Sequence, residues 1–281
     1  MAKDLTQYQK KHDYLICVDS DGCAMDTMDV KHFRCFGPCM VEEWGLQAWA
    51  EPILVRWNDI NLYTMTRGIN RFKGLAMALK EINEQYTPIE DIDVLVRWAE
   101  ESPELSNDAL ARAIEAQPSI ALRKALSWSK AVNASITALP DDVKLPFPLA
   151  KEALAFAHEL ADVAIVSSAN LGAVLEEWEM HGLLPHTDIV LAQDAGSKAH
   201  CIAELLKKGY DPAKVLMCGD APGDLAAAEK NGVGYYPILV RREKESWQQF
   251  MDEGFQHLLD GSYAGAYQEM KKTEFLKNLG A

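Results

Sequence analysis

Residues 14–27 read Tyr-Leu-Ile-Cys-Val-Asp-Ser-Asp-Gly-Cys-Ala-Met-Asp-Thr, and this stretch decides how the rest of the chain is interpreted. Its apolar first half, residues 14–18, predicts a buried β-strand. The strand ends at two carboxylates two residues apart, Asp19 and Asp21. Charges at the end of a buried strand cost desolvation free energy unless a cation or a reaction uses them. Because ligands in open α/β sheets lie at the carboxyl ends of strands, we predict a functional site here.

Three further motifs follow in the second half of the chain. Residues 164–168 (Ala-Ile-Val-Ser-Ser) predict a strand that ends in serine, and Lys198 begins a predicted helix. Residues 216–224 (Leu-Met-Cys-Gly-Asp-Ala-Pro-Gly-Asp) predict a strand followed by Gly-Asp-x-x-x-Asp. With Asp-x-Asp-Gly-x-x-x-Asp-Thr at 19–27, these motifs resemble, in order and spacing, the four signatures of the haloacid dehalogenase-like phosphohydrolases. The resemblance covers the core, about half of the chain.

The predicted fold class is α/β, a Rossmann-like parallel sheet core with an inserted all-helical cap domain. From Leu149 onward, apolar strands alternate with helix-length segments, which is typical of a parallel sheet. Between the first strand and Pro146, periodicities of 3.6 residues predict helices instead. One of these helices is predicted to start at Ser102-Pro103, as N-cap and first helical residue. The predicted domains are a catalytic core of residues 1–27 and 148–281 and a cap of residues 28–147.

The composition limits the partners of this chain. It has 281 residues, with 28 Lys plus Arg against 42 Asp plus Glu, a formal charge of −14. This charge disfavours nucleic acid and anionic membranes as partners. The sequence contains no apolar run of transmembrane length and no signal-peptide core, and its six cysteines include no Cys-x-x-Cys pair. We therefore expect a cytoplasmic protein. The resemblance implies that it acts on a small phosphorylated metabolite, and we expect a monomer or homodimer.

The resemblance implies a role for each motif residue. Asp19 is the implied nucleophile, which forms an aspartyl-phosphate, and Asp21 the implied acid and base. Ser167, with Ser168 as its neighbouring candidate, and Lys198 are implied to bind phosphate. The implied cofactor is Mg²⁺, a hard cation that prefers oxygen ligands. Its implied ligands are the Asp19 carboxylate, the Asp21 main-chain carbonyl, Asp220, and Asp224 as ligand or as support for the ligands.

Each of these residues also has an ordinary structural interpretation. Asp19 and both serines are common helix N-caps, and Lys198 is alternatively a solvated surface lysine. Asp220 and Asp224 are alternatively dipole partners in the first turn of a helix. In the predicted cap, Arg67, Arg71 and Lys73 form the most cationic patch, which either reaches a second anionic group or sugar hydroxyls of the substrate or is a basic loop before a helix.

The predicted function is a Mg²⁺-dependent phosphatase that hydrolyses phosphomonoesters through an aspartyl-phosphate intermediate. A carboxylate at position 21 favours phosphate ester chemistry, because the dehalogenases and phosphonatases that the chain resembles lack it. Two alternatives stay open. One is a sugar phosphomutase of the β-phosphoglucomutase type, and the other is a non-catalytic protein that binds a phosphorylated ligand on the same fold.

Overall fold

The computed structural model describes residues 4–281, and one of its two compact units contains a five-stranded parallel sheet. The first three residues of the predicted core range therefore lie outside the described part. Along the sheet the strand order is β5-β4-β1-β6-β7. The strands are β1 (Tyr14–Val18), β4 (Ala161–Val166), β5 (Ile189–Leu191), β6 (Val215–Gly219) and β7 (Gly234–Pro237). The predicted α/β fold class is confirmed.

The first strand lies in the middle of this sheet. It pairs in parallel with β4, in the register Ile16–Val163, and with β6, in the register Ile16–Leu216. Four of its five residues, from Leu15 to Val18, are fully buried. A strand that is covered on both faces must be apolar throughout, which explains why residues 14–18 show no alternation of polar and apolar residues. Its carboxyl end is therefore flanked by the ends of two other strands.

Helices cover the sheet within the same compact unit, which comprises residues up to Met28 and Asp141–Ala281. Its apolar core is built from the strands and from Ala153, Trp178 and Trp247 on three of the helices. The short helix α1 (Met28–Lys31) begins at the last residue of the first segment of this unit, and its other residues belong to the second unit. The helices of the sheet unit are α8 (Ala150–His158), α9 (Leu171–Met180), α10 (Lys198–Leu206), α11 (Pro222–Asn231), α12 (Glu243–Gln249), α13 (Phe255–Leu259) and α14 (Gln268–Asn278).

The second compact unit, Asp29–Pro140, is helical and has its own apolar core. Trp57 and Trp128 are completely buried in it, with their rings edge to face at a centroid distance of 6.0 Å. Within residues 4–281, no helix combines the length and the apolar character that crossing a membrane requires. The helices of this unit are α2 (Gly37–Trp44), α3 (Ala50–Asn58), α4 (Arg71–Gln85), α5 (Ile92–Glu101), α6 (Asn107–Ala116) and α7 (Ile120–Thr137).

Two short antiparallel strands stand at the two ends of the inserted segment. β2 (Met25–Asp26) pairs with β3 (Leu145–Pro146), and the Phe147 amide donates to the Ala24 carbonyl at 2.9 Å. These bonds tie residues 145–147 to the sheet unit, whose second segment begins at Asp141, whereas the predicted core resumes only at residue 148. The last helix of the insert, α7, ends at Thr137, so the chain has already returned to the first unit before it reaches the two prolines at 146 and 148.

One predicted helix start is wrong. The helix expected from Ser102 begins only at Asn107, where Ser106 is the N-cap and accepts a hydrogen bond from the Ala109 amide at 3.1 Å. Ser102 instead follows the last residue of α5, and its hydroxyl donates to the Glu104 carbonyl at 2.6 Å. A serine followed by proline is thus also compatible with a turn after a helix, because an extended residue is favoured before proline.

Candidate active site

The carboxyl ends of β1, β4 and β6 carry the three candidate residues Asp19, Ser167 and Asp220. The Asp19 amide continues the ladder of β1 by donating to the Cys218 carbonyl at 3.0 Å, and the Ser167 amide does the same from β4 to Leu191 at 2.9 Å. Because β1 lies between the other two strands, the strand order brings these three motif positions to one edge of the sheet. This is the edge at which doubly wound folds bind ligands.

A lysine bridges two of the acidic residues at this edge. Lys198 Nζ lies 2.6 Å from Asp19 Oδ2 and 2.5 Å from Asp224 Oδ1. Its side chain is only 14% exposed, so the interpretation of Lys198 as a solvated surface lysine is wrong. Lys198 is the first residue of α10, whose dipole disfavours a cation at that position. The two carboxylates compensate for this unfavourable placement.

Asp224 serves α11 as well as the lysine. Its second oxygen, Oδ2, accepts the Ala221 amide at 3.0 Å and so satisfies a free N–H at the start of α11. The first-turn interpretation of Asp224 is therefore correct, and the residue contacts Lys198 in addition. The approach of Asp224 to the strand requires glycine at position 219, since a Cβ there would lie 2.3 Å from Asp224 Cγ.

Burial dominates the protonation of Asp19. It raises the pKa of the Asp19 carboxyl, Lys198 lowers it, and Asp224 and Asp220 raise it again, which leaves the pKa at about 7. For Lys198, burial acts to lower the pKa, but the carboxylates of Asp19 and Asp224 outweigh it, and the pKa lies above its ordinary value. The ammonium group is therefore charged at neutral pH, and Asp19 carries its charge only in part.

The donor set of this cluster fits a hard divalent cation. Carboxylate oxygens of Asp19, Asp220 and Asp224 lie within 4.8 Å of one another, and all three residues are buried. Three buried carboxylates face one lysine, which leaves excess negative charge in a site with little solvent. Oxygen donors of this kind are the ligands of Mg²⁺. Both oxygens of Asp224 accept hydrogen bonds, from Lys198 Nζ and from the Ala221 amide. Those of Asp19 likewise contact Lys198 Nζ and the Ser20 amide, so both carboxylates also hold neighbouring groups in place.

Asp21 stands beside this cluster in a compact turn. The residues Asp19–Met25, which we call the acidic loop, fold back on themselves because the amides of residues 23–25 all donate to the Ser20 carbonyl. Gly22 adopts a φ of 83°, a left-handed conformation that side-chain-bearing residues rarely adopt. The Thr27 hydroxyl donates to Asp21 Oδ1 at 2.6 Å and fixes the direction of that carboxylate.

The two candidate serines differ in their environment. Ser167 is buried at the end of β4, and its hydroxyl oxygen accepts the Ala169 amide at 3.2 Å. Ser168 is exposed. Neither residue caps α9, because Asn170 does so by accepting the Gly172 and Ala173 amides. The N-cap interpretation of both serines is thus wrong, and Ser167 is the one that the sheet holds next to β1.

The cationic patch of the insert consists of two arginines with internal partners and one exposed lysine. Arg67 is buried and donates from Nη1 to the Leu62 carbonyl at 2.7 Å. Arg71 begins α4 and donates from Nη1 to Ser129 Oγ at 3.1 Å and to Asn133 Oδ1 at 2.7 Å. Lys73 is exposed. The interpretation as a basic loop before a helix fits Arg67, whereas Arg71 and Lys73 already belong to α4.

Two tryptophans that belong to none of the sequence motifs reach the acidic loop. Trp178 Nε1 donates to Ser20 Oγ at 2.9 Å, and Trp247 Nε1 donates to the Cys23 carbonyl at 3.1 Å. Both side chains are fully buried. Nothing in the sequence signals these bonds, because the partners are 158 and 224 residues apart. Only their position in the fold identifies them.

Comparison with known proteins gives matches at the level of structure alone. No protein-family model matches the sequence, and no curated protein matches it. Solved structures do match. A candidate phosphoglycolate phosphatase from Lactobacillus delbrueckii subsp. bulgaricus is 14% identical, with a TM-score of 0.50 over 80% of this chain and 85% of that chain. At such identity the likeness concerns the fold.

Two further similar structures have lower scores. A hydrolase of the haloacid dehalogenase-like family from Streptococcus pneumoniae is 12% identical, with a TM-score of 0.45 over 84% of this chain and 90% of that chain. A candidate β-phosphoglucomutase from Thermotoga maritima is 17% identical, with a TM-score of 0.44 over 80% and 84% of the two chains.

Proposed function

Because this chain has the haloacid dehalogenase-like fold, we propose that it is a Mg²⁺-dependent phosphatase that hydrolyses a small phosphorylated metabolite. The observation that carries the proposal is the ion pair of Lys198 with Asp19 at 2.6 Å, next to the buried carboxylate of Asp220. A nucleophilic carboxylate needs a fixed position and a counter-charge for the phosphoryl group that it receives. Lys198 meets both requirements.

In the proposed reaction Asp19 is the nucleophile and Asp21 is the general acid and base. An oxygen of Asp19 attacks phosphorus, the ester P–O bond breaks, and Asp21 protonates the departing alkoxide. Asp21 then takes a proton from a water molecule, whose oxygen attacks the aspartyl-phosphate. The P–O bond to Asp19 breaks, and inorganic phosphate leaves. The Thr27 hydroxyl holds the Asp21 carboxylate in one orientation for both proton transfers.

The remaining residues bind the phosphoryl group and the metal ion and neutralise negative charge. Ser167 donates its hydroxyl proton to a phosphoryl oxygen, and Lys198 stabilises the negative charge of the transferring group. Asp19, the Asp21 carbonyl and Asp220 would hold Mg²⁺, with Asp224 in support. When bound, the ion supplies positive charge that neutralises the phosphoryl oxygens.

The test is phosphate release from sugar phosphates, nucleotides and p-nitrophenyl phosphate, with Mg²⁺ or with EDTA. We expect turnover that EDTA stops and that Asp19→Asn abolishes. Asp13→Asn is the matched control, because Asp13 precedes β1 at its opposite end and is 66% exposed; its activity should equal that of the wild type. Isomerisation of a sugar phosphate without phosphate release would assign the chain as a mutase. Failure to turn over any ester or to bind Mg²⁺ would refute the proposal.

A further inference from the structure

The position of the acidic loop depends on bonds from outside it. Its internal hydrogen bonds, from the amides of Cys23, Ala24 and Met25 to the Ser20 carbonyl at 2.9–3.3 Å, give the loop its shape. These internal bonds do not fix the position of the loop relative to Lys198 and Asp220. At one end the Asp19 amide is tied to β6. The middle of the loop is reached by the two indole N–H groups.

Both indole bonds are buried and have specific acceptors. Trp178 lies on α9 and donates to the side chain of Ser20, the residue between the proposed nucleophile and the proposed acid and base. Trp247 lies on α12 and donates to the main chain at Cys23. All four residues are completely buried. A shift of the loop would leave a donor without its acceptor and without water to replace it, which is unfavourable in a protein interior.

We propose that Trp178 and Trp247 are positioning residues, which hold the acidic loop so that Asp19 and Asp21 stand at the correct distance from the phosphoryl group. The inference rests on the proposed function, since the distance matters only if these carboxylates react. Trp178 also links two parts of the site. Three residues separate Ser167 from the helix α9 that carries Trp178, so the indole fixes the acidic loop relative to the end of β4 at which Ser167 would bind phosphate.

The alternative is that both tryptophans only fill the core. A double-mutant cycle separates the two cases. Trp178→Phe removes the donor, Ser20→Ala removes the acceptor, and the third variant carries both changes. If the hydrogen bond between Trp178 and Ser20 positions the acidic loop, kcat should fall roughly tenfold in each single variant, with KM changed less than about twofold. The double variant should then be little slower than either single variant, because there is only one bond to lose.

The matched control is Tyr263→Phe. This change also removes a buried hydrogen bond from the core of the sheet unit, the bond of the hydroxyl to the Tyr235 carbonyl at 2.6 Å. It leaves the acidic loop untouched, so kcat should stay at the wild-type value. The proposal would be overturned if the kcat losses of the two single variants multiplied in the double variant, or if Tyr263→Phe lost as much kcat as they do. Core packing would then be the explanation.

Hydrogen exchange of the loop amides gives a readout that does not need turnover. In Trp178→Phe, Ser20→Ala and Trp247→Phe, the amides of residues 23–25 should exchange at least roughly tenfold faster than in the wild type and in Tyr263→Phe. Unchanged exchange would refute the positioning role even if kcat fell. Faster exchange in a protein whose wild type hydrolyses no ester would place the failure in the proposed function and not in the role of the indoles.

Discussion

The proton equilibrium of Asp19 shows how strongly the site depends on a cation. Burial raises its pKa from 3.8 to about 7, although Lys198 lies in contact with it. One lysine therefore does not compensate three buried carboxylates. A carboxylate nucleophile must be ionised, so a bound divalent cation would increase the fraction of Asp19 that can react at neutral pH.

A first prediction concerns stability without metal. Between pH 3.8 and about 7, folded Asp19 keeps a proton that the unfolded chain has released, so the free energy of unfolding falls as the pH rises through this window. Asp19→Asn removes this loss. The variant should unfold at a temperature several degrees above the wild type at about pH 8 in EDTA, and the difference should shrink towards about pH 4.

Thermal unfolding followed by circular dichroism at several pH values measures this effect. Asp13→Asn is again the control, because its exposed carboxyl has a lowered pKa, caused first by its hydrogen bond with Lys10. It should not gain stability at high pH. Equal unfolding temperatures of wild type and Asp19→Asn at about pH 8, or a difference that grows on acidification, would contradict the dominance of burial.

A second prediction separates the two acidic residues of the last motif. Asp220→Asn should weaken Mg²⁺ binding by at least roughly tenfold in calorimetric titration, because it removes a direct ligand. Asp224→Asn should weaken binding less and lower kcat instead, because its carboxylate holds Lys198 at 2.5 Å. The exposed Asp252→Asn is the control and should change neither quantity. The reverse ranking would make Asp224 the direct ligand.

At the scale of elements, the strand ends of the site were predictable and the helix starts less so. The apolar runs that end at Asp19, Ser167 and Gly219 are short, continuous and bounded by polar residues, which leaves few alternatives to a buried parallel strand. The start of α6 was not predictable from Ser102, because two serines, Ser102 and Ser106, precede the apolar run and the backbone conformation decides which of them is the cap.

A third prediction tests which serine caps α6. Ser106→Ala should lower the free energy of unfolding by about 1 kcal/mol, because the Ala109 amide loses its acceptor. Ser102→Ala is the matched control, four residues earlier and outside the helix, and should cost less. Urea unfolding of the full chain measures both. Equal losses, or a larger loss for Ser102, would return the helix start to the position first predicted.

The bonds that complete the site escape prediction for a physical reason. Thr27 is close enough to Asp21 in sequence to be suspected, at six residues. The indole of Trp247 reaches Cys23 from the other end of the chain, and its helix contains no motif. Local patterns report the period of burial, whereas the partner of a buried N–H depends on the packing of helices that are distant in sequence.

At the scale of the whole molecule, each compact unit has an apolar core of its own. A fourth prediction follows for residues 29–140. Produced alone, this segment should be helical and unfold cooperatively, because Trp57, Trp128 and the residues packed on them all belong to it. Trp128→Ala should abolish or strongly weaken this transition, at a cost of about 3–5 kcal/mol.

Circular dichroism during heating gives the measurement for this fourth prediction. Val55→Ala is the control, because the Val55 side chain is 60% exposed, and it should leave the transition nearly unchanged. A segment without helical signal, or one that melts without a transition in its unmutated form, would show that the insert needs the sheet unit to fold.

The pairing of the central strand has a consequence for the order of events during synthesis. Tyr14 in β1 pairs with Ala161 in β4, and Leu15 pairs with Val215 in β6, so each partner is made well over a hundred residues after β1. At about 5–20 residues per second, a ribosome needs roughly 7–30 s to reach β4. During that time the apolar strand β1 has no strand to pair with, while the whole insert emerges and can fold. Nascent chains of this protein are therefore exposed to aggregation through β1, and we expect chaperones to engage them at that strand first.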